Sequence, residues 1–359
     1  MKYEPSYDGL RAFAVSAVVL FHFWAAIFPG GWAGVHVFFV LSGYLITSIL
    51  LKELKNTDKI NLKRFYLRRV LRLTPALVCI ILFQVVRLVI EHDPAMRKSI
   101  EESILAASTY IMNWAIAFNF LSSDIIPHTW SLSIEEQFYL IWPALLLLVA
   151  KRRPLTWVSA GIIGITLWRI ALVASGASRD RTYYGFDTEA DALLIGCAIA
   201  LASLTPALVR LASRFVLVPV GVLILQVFLP DTLLGVTEAV GYTVISACSA
   251  WILIALQEEG RLKRWLSWSP FVYTGRISYG WYLWHYPLIC LAKPVLLHHG
   301  AVKTAVYFLV LPVSYLIAMA SYRFIETPFL RLKARFEPKA DRAPPPESDK
   351  AAAADTEVA

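Results

Sequence analysis

The sequence predicts an all-α protein, a polytopic transmembrane helical bundle of about ten spanning helices. Three observations predict it. Of the 359 residues, 58% are hydrophobic and 17% are charged, whereas a soluble domain carries about 25% charged residues. The mean hydropathy of +0.59 is that of a chain with little surface to give to water. Twelve Trp, sixteen Tyr and nineteen Phe supply the amphipathic rings favoured at membrane interfaces. This composition excludes a secreted disulfide scaffold, a disordered chain and a nucleic-acid-binding domain, despite a net charge of +8.

A span needs ~20 apolar residues. The runs that qualify, with soft edges, are 11–28, 32–51, 73–90, 133–150, 155–175, 184–204, 213–229, 236–256, 277–297 and 304–323. The first follows Arg11 and leads straight into the second, so it is expected to be a retained span rather than a cleaved signal. An eleventh stretch, 101–121, is interrupted by Ser108, Asn113, Trp114 and Asn119.

Charge placement assigns the sides. With ten crossings and an internal N-terminus, the cytoplasmic connections are 52–72, the Lys151-Arg152-Arg153 turn, 205–214, 257–276 and the Arg331–Arg335 segment, all basic. The external connections hold few cations: Arg97 and Lys98, Arg179 and Arg181, and Lys303. A crossing at 101–121 would move the later basic loops outside, against the positive-inside rule. Residues 91–131 are therefore expected to form one external excursion with a re-entrant or interfacial helix, and both termini to be cytoplasmic in a bacterial inner membrane. Residues 337–359 carry three cations and six anions, leaving 31 cations against 20 anions on residues 1–336. The acidic, Pro- and Ala-rich 337–359 is expected to be a disordered cytoplasmic tail after a membrane-embedded domain at 1–336. The four cysteines stand singly in apolar runs, without metal spacing, and are expected to be small buried hydrophobes. No metal site is expected, because His298-His299 lack further ligands at a useful spacing.

An ionisable residue inside a span is costly and points to function. Arg11 and His22 are eleven residues apart, so on one helix they share a face, about 16 Å apart along the axis. Gly34 and Gly43 allow close backbone approach, and Ser42 can bond across helices. His36, between them, is expected to line a polar cavity. In the basic loop, Arg69 and Arg72 are i, i+3 neighbours, with Arg68 and Lys63 near. Paired guanidinium groups at a membrane edge suit phosphates, or else anchor lipid headgroups. Glu135 and Glu136 open a span and point about 100° apart. One would face the bundle while the other caps the helix with Ser131 or Ser133. His285 lies inside a span, and Asp191 is the deepest of three acids at the start of another. Arg323 and Glu326 have the spacing of a simple ion pair.

With these residues in order, the chain resembles the acyltransferase 3 family of bacterial integral-membrane O-acyltransferases. The resemblance runs from about residue 5 to residue 330. It is carried by Tyr7-Asp8-Gly9-Leu10-Arg11-Ala12 with His22, Phe38 to Tyr44, Arg69-Val70-Leu71-Arg72, Thr129 to Glu135, Ser278-Tyr279 through His285-Tyr286-Pro287, and Glu326-Thr327-Pro328. His36 stands where the family more often carries Asp or another polar residue, so no family role passes to it. The resemblance implies transfer of an acyl group, usually acetyl, from cytoplasmic acyl-CoA to a hydroxyl of a carbohydrate or glycolipid. The short tail points to the type without an SGNH-like external domain.

The chemistry expected is as follows. Arg69, Arg72 and Arg68 hold the phosphates of acyl-CoA, a co-substrate, with no bound cofactor. His22 is the candidate general base, because its ordinary pKa lies near working pH; it either deprotonates the acceptor directly or takes part in a covalent acyl relay. Glu135 orients His22 or bonds the sugar, and Arg11 stabilises developing oxyanion charge or the CoA. His285, His36, Asp191 and Tyr279 are the candidate acceptor contacts. A transporter or flippase of a lipid-linked sugar shares the intramembrane charges but would often show internal repeats, which are absent here. A structural or sensory membrane protein would bind no CoA.

Overall fold

The computed structural model describes residues 3–122, 125–150, 152–229, 237–296 and 300–336. The expected tail at 337–359, Lys151 and His298-His299 lie outside the described residues.

Among the described residues every regular element is helical. The first is α1 (Pro5–Phe23), opened by a proline where the missing N–H costs nothing. Next come α2 (Ala33–Thr57) and α3 (Leu62–Ile90). The Asn61 side chain caps α3 by accepting from the Arg64 amide, which starts the helix just before its row of arginines. Then α4 (Pro94–Ser108), capped by Asp93, and the short α5 (Met112–Ala117) precede a single 3₁₀ turn at Pro127–Thr129. After it run α6 (Trp130–Val149), α7 (Pro154–Ala174), α8 (Arg179–Tyr184) and α9 (Phe186–Leu201). The pair α10 (Pro206–Arg214) and α11 (Leu217–Phe228) follows. A π turn at Thr237–Gly241 leads into α12 (Tyr242–Ala255). Two short helices, α13 (Arg261–Leu266) and α14 (Ser269–Arg276), precede α15 (Ser278–Leu296) and α16 (Gly300–Ser321). A second π turn at Tyr322–Glu326 joins α16 to α17 (Thr327–Ala334).

Each of the ten expected spans coincides with one of these helices. By length and apolarity alone, however, six helical segments among the described residues can cross a membrane, or seven if the pair α10–α11, bent by 49°, is one span. The three that fall short are α1, α9 and α15. Helix α9 has only 16 residues, and α1 carries Asp8, Arg11 and His22 along its length. The 101–121 stretch is divided between α4 and α5, each shorter than a span, as an excursion requires.

The inner helix is α2, with 67% of its most apolar window buried in the bundle, against 11% for α7. Close packing of α2 on α9 depends on Gly43 and Gly196. A Cβ on Gly43 would overlap the Leu193 carbonyl, and one on Gly196 the Val40 carbonyl, so only glycine permits this backbone approach. Gly34 fits α2 against Ala14 and Val18 of α1 in the same way.

The basic segments gather at one end. Lys263 of α13 pairs with Glu4 at 3.1 Å, and Lys333 of α17 shares a cavity mouth with Tyr3, Lys52 and Arg64. The first and last described segments therefore end on the same side. At the other end α5 meets α8, where the Arg181 guanidinium lies 5.5 Å from the Trp114 ring centre.

Candidate active site

From the basic end a chamber of about 450 Å³ enters the bundle between α1, α2, α3, α6 and α15. That volume is in the range of small-molecule sites. Seven cationic side chains line it (Arg11, Lys52, Arg64, Arg68, Arg69, Arg72 and Lys333) against four acidic ones (Glu4, Asp8, Glu53 and Glu135). The helix capped by Asn61 carries four of the cations inward, since residues three and four apart share a face. The chamber suits a polyanion that enters from the basic end.

Six of the ten residues singled out from the sequence line this one chamber: Arg11, Arg68, Arg69, Arg72, Glu135 and Tyr279. Arg11 pairs with Asp8 at 3.1 Å, and Asp8 also accepts from the Tyr3 hydroxyl at 2.7 Å. The Arg69 guanidinium stacks on the Tyr139 ring, 3.4 Å from its centre, and its Nε is buried without a partner. Ser42 Oγ donates to Glu135 Oε1 at 2.5 Å, so the hydroxyl expected to bond across helices holds the candidate carboxylate. Tyr279 donates to the Leu73 carbonyl at 2.8 Å, which ties α15 to α3 behind the arginines.

The inner end of the chamber is closed by a hydrogen-bonded pair. Tyr282 donates to the His128 carbonyl at 2.5 Å. With that hydrogen committed, Ser131 Oγ is the donor to the Tyr282 oxygen at 2.7 Å. Behind this pair lies a cluster of three imidazoles. His22 and His285 have ring centres 5.0 Å apart, His285 and His128 are 5.4 Å apart, and Tyr282 is 5.7 Å from His285. His22 and His285 do not line the chamber. Val35, at its inner end, follows Gly34, which packs on Val18, and His22 is one helical turn beyond Val18. The expected gathering of guanidinium groups in one cavity is present; the imidazole stands just past its inner wall.

His36 and Asp191 lie elsewhere. His36 Nε2 is 3.0 Å from Glu189 Oε2, with both side chains fully buried. Asp191 forms a two-pronged pair with Arg169, Nη2 to Oδ2 at 2.9 Å and Nη1 to Oδ1 at 3.2 Å. Thr243 Oγ1 donates to Asp191 Oδ2 at 2.6 Å, and Arg169 reaches the Thr188 and Ala239 carbonyls. These groups lock α2, α7, α9 and α12 together, and none of them lines the chamber. The structure therefore does not bring the candidate acceptor contacts His36 and Asp191 together with the chamber residues: His36 stands beside Glu189, and Asp191 pairs with Arg169.

Two smaller expectations also change. No side chain caps α6, whose first residue is Trp130, so Glu136 already lies in its second turn, beyond capping reach. Ser131 is used by Tyr282, Ser133 bonds the Thr129 carbonyl at 3.3 Å, and Glu136 Oε1 is buried unpaired. Arg323 does not pair with Glu326. The π turn sends Arg323 over the Phe324 ring and turns Glu326 inward to Ser321 at 3.5 Å. Of the cysteines, Cys197 is buried and the other three are half-buried; none forms a disulfide.

Arg169, Glu189, His128, Tyr282 and Asp8 join these groups without having been expected as site residues. Arg169 alone interrupts an apolar run of 21 residues, a signal of the same kind as Arg11. His128 immediately precedes the Thr129 to Glu135 motif.

Comparison with known proteins adds identity to this geometry. An acyltransferase domain model matches residues 4–323. The peptidoglycan O-acetyltransferase OatA of Listeria monocytogenes serovar 1/2a is 38% identical over 353 residues, covering 91% of this chain and 56% of the relative. The O-acetyltransferase OatA of Staphylococcus aureus (strain NCTC 8325 / PS 47) is 33% identical over 357 residues, covering 91% and 57%. The chain thus spans little more than half the length of these relatives. No solved structure matches it.

Proposed function

The chain belongs to the acyltransferase 3 family, and on that premise we propose that it is a multi-pass inner-membrane O-acetyltransferase. It takes acetyl-CoA from the cytoplasm and acetylates a hydroxyl of a cell-envelope carbohydrate. Peptidoglycan is the first acceptor to test, given the name of the relative from Listeria. The supporting observation is the cation-rich chamber, whose mouth carries Arg64 and Arg68 and whose depth carries Arg69, Arg72 and Arg11.

In this proposal the CoA phosphates bind Arg64, Arg68, Arg69 and Arg72, where planar guanidinium groups make paired charge-assisted hydrogen bonds. The pantetheine arm then runs inward along Phe38, Phe39 and Leu45, and the thioester ends near Ser131 and Tyr282. His22 takes the proton of the acceptor hydroxyl, the oxygen attacks the thioester carbonyl carbon, and the carbon–sulfur bond breaks. Arg11 opposes charge that develops toward the chamber. Displacement of Tyr282 from Ser131 opens the one-turn gap between thioester and imidazole.

The test uses the purified chain in oriented proteoliposomes, with labelled acetyl-CoA supplied at the basic face. Muropeptides, exopolysaccharide and lipopolysaccharide are offered at the other face. Label in glycan ester supports the proposal and names the acceptor. Acceptor movement without thioester consumption would instead mark a transporter.

A further inference from the structure

His22 and His285 meet through nitrogen atoms whose hydrogens are set by their surroundings. His22 Nδ1 lies 2.9 Å from the Val18 carbonyl oxygen and 3.1 Å from His285 Nε2. His285 Nδ1 lies 3.1 Å from the Trp281 carbonyl oxygen. A carbonyl only accepts, so both Nδ1 atoms carry hydrogen. The opposite assignment would aim two imidazole lone pairs at two carbonyl oxygens. His285 Nε2 is therefore a lone pair that accepts from His22 Nδ1–H, and His22 Nε2 is left as the open base.

We infer that His285 is a positioning residue: it holds His22 in the Nδ1–H tautomer and shares the positive charge that arises when His22 Nε2 takes a proton. General-base histidines are usually oriented by a carboxylate. Here, among the described residues, no carboxylate or guanidinium bonds either ring. The groups packed around the pair are Tyr282 and Tyr286 of α15, His128 of the 3₁₀ turn and Phe21 of α1. The Nδ1 hydrogen is then shared between the Val18 carbonyl and a second imidazole, and of the two only the imidazole can take up a proton. His285 is itself fully buried, with Nδ1 tied to its own helix, so its ring does not swing away.

The inference rests on the proposed acetyl transfer for its catalytic meaning. In that step the acceptor O–H bond breaks and a His22 Nε2–H bond forms. The acceptor oxygen bonds the acetyl carbon, and the carbon–sulfur bond breaks. The leaving thiolate receives the proton from Nε2, so His22 is restored and no oxidant or further reactant is needed. His285 Nε2 draws on the Nδ1 hydrogen while His22 is cationic and returns it afterwards.

Two measurements test the inference. The first does not depend on catalysis. In protein labelled with nitrogen-15 histidine, His22 should show a protonated Nδ1 and an unprotonated Nε2 at neutral pH. Its Nδ1 resonance should move in the folded variant His285→Phe. A protonated Nε2 on His22, or an unchanged Nδ1 in the variant, overturns the inference even if acetyl transfer is confirmed. The second uses His285→Gln, whose amide oxygen can accept the hydrogen bond but cannot share a proton. The expected result is a loss in kcat of about tenfold or more, an unchanged KM for acetyl-CoA, and an acid limb of the rate profile moved to lower pH. The limb moves that way because a cationic His22 is no longer stabilised by its neighbour. A rate profile that superimposes on the wild type overturns the inference. If no chain, wild type included, transfers acetyl groups, the proposed function fails while the tautomer result still decides the histidine pair.

Discussion

Ser42 and Glu135, 93 residues apart in sequence, are joined by a 2.5 Å hydrogen bond that fixes a carboxylate of α6 against α2 at the chamber wall. A hydrogen bond to a charged group contributes ~1.5–3 kcal/mol. Ser42→Ala frees the Glu135 carboxylate to swing and should cost about tenfold to hundredfold in kcat, with folding intact. Ser42→Thr, which keeps the hydroxyl, should recover most of it. Steady-state kinetics on both variants, with thermal unfolding as the folding control, checks this.

Arg69 and Arg72 both line the chamber, and Arg69 is also stacked on Tyr139. Each guanidinium lost from a phosphate site should weaken acetyl-CoA binding about tenfold or more. Arg72→Lys should recover little, since an ammonium cannot make the paired contact. Tyr139→Leu should loosen Arg69 and weaken binding less than Arg69→Ala does. Equilibrium binding of labelled CoA measures each variant. Unchanged affinity in the Arg69→Ala, Arg72→Ala double variant would reduce this surface to a lipid anchor.

The Arg169–Asp191 pair is fully buried. Breaking a buried pair by removing one partner costs ~3–5 kcal/mol, whereas replacing both with apolar groups of similar size is often neutral. Arg169→Met or Asp191→Leu alone should be strongly destabilising, and the two together should recover much of the loss. CoA affinity should be unaffected in any variant that folds. A double-mutant cycle by denaturant titration reads the first point. If the double variant is as unstable as the sum of the singles, the cluster is doing more than pairing charge.

Outside the spans, Glu102 accepts from the Ser122 amide at 2.7 Å and from its hydroxyl at 3.1 Å. These bonds, the backbone one foremost, hold its carboxyl below the usual range. A depressed carboxyl stabilises the fold above its unfolded pKa, about 4.3, and the effect is lost as pH falls through the folded value. Opening of the Ser122 amide, followed by hydrogen exchange, should therefore rise several-fold below about pH 4 and should already be high in Glu102→Gln at neutral pH.

Much of this architecture was legible in the chain because each expected span coincides with a helix. The arginine row of α3 was legible too, since i, i+3 spacing puts Arg69 and Arg72 on one face. His36 was expected to line a polar cavity and Asp191 to be the deepest of its three acids; their neighbours Glu189 and Arg169 were not foreseen. An intramembrane charge announces that it needs an opposite charge, but which helix supplies Glu189 or Arg169 depends on tertiary packing that periodicity does not encode. The π turn at Tyr322–Glu326 was invisible for a similar reason. An i, i+3 pair is expected only if the helix is regular, and one inserted residue sends Arg323 and Glu326 in different directions. The position of His22 past the chamber wall depends on where Tyr282, from a helix 260 residues later, places its hydroxyl; no local pattern carries that.

The most direct test is to locate the bound donor: a structure of the full chain with a non-hydrolysable acetyl-CoA analogue. The account predicts phosphate density on Arg68, Arg69 and Arg72, and the acetyl carbon against Ser131 and Tyr282, facing His22. A donor bound outside the chamber, or one whose acetyl end points toward the basic mouth and away from the histidines, would contradict it.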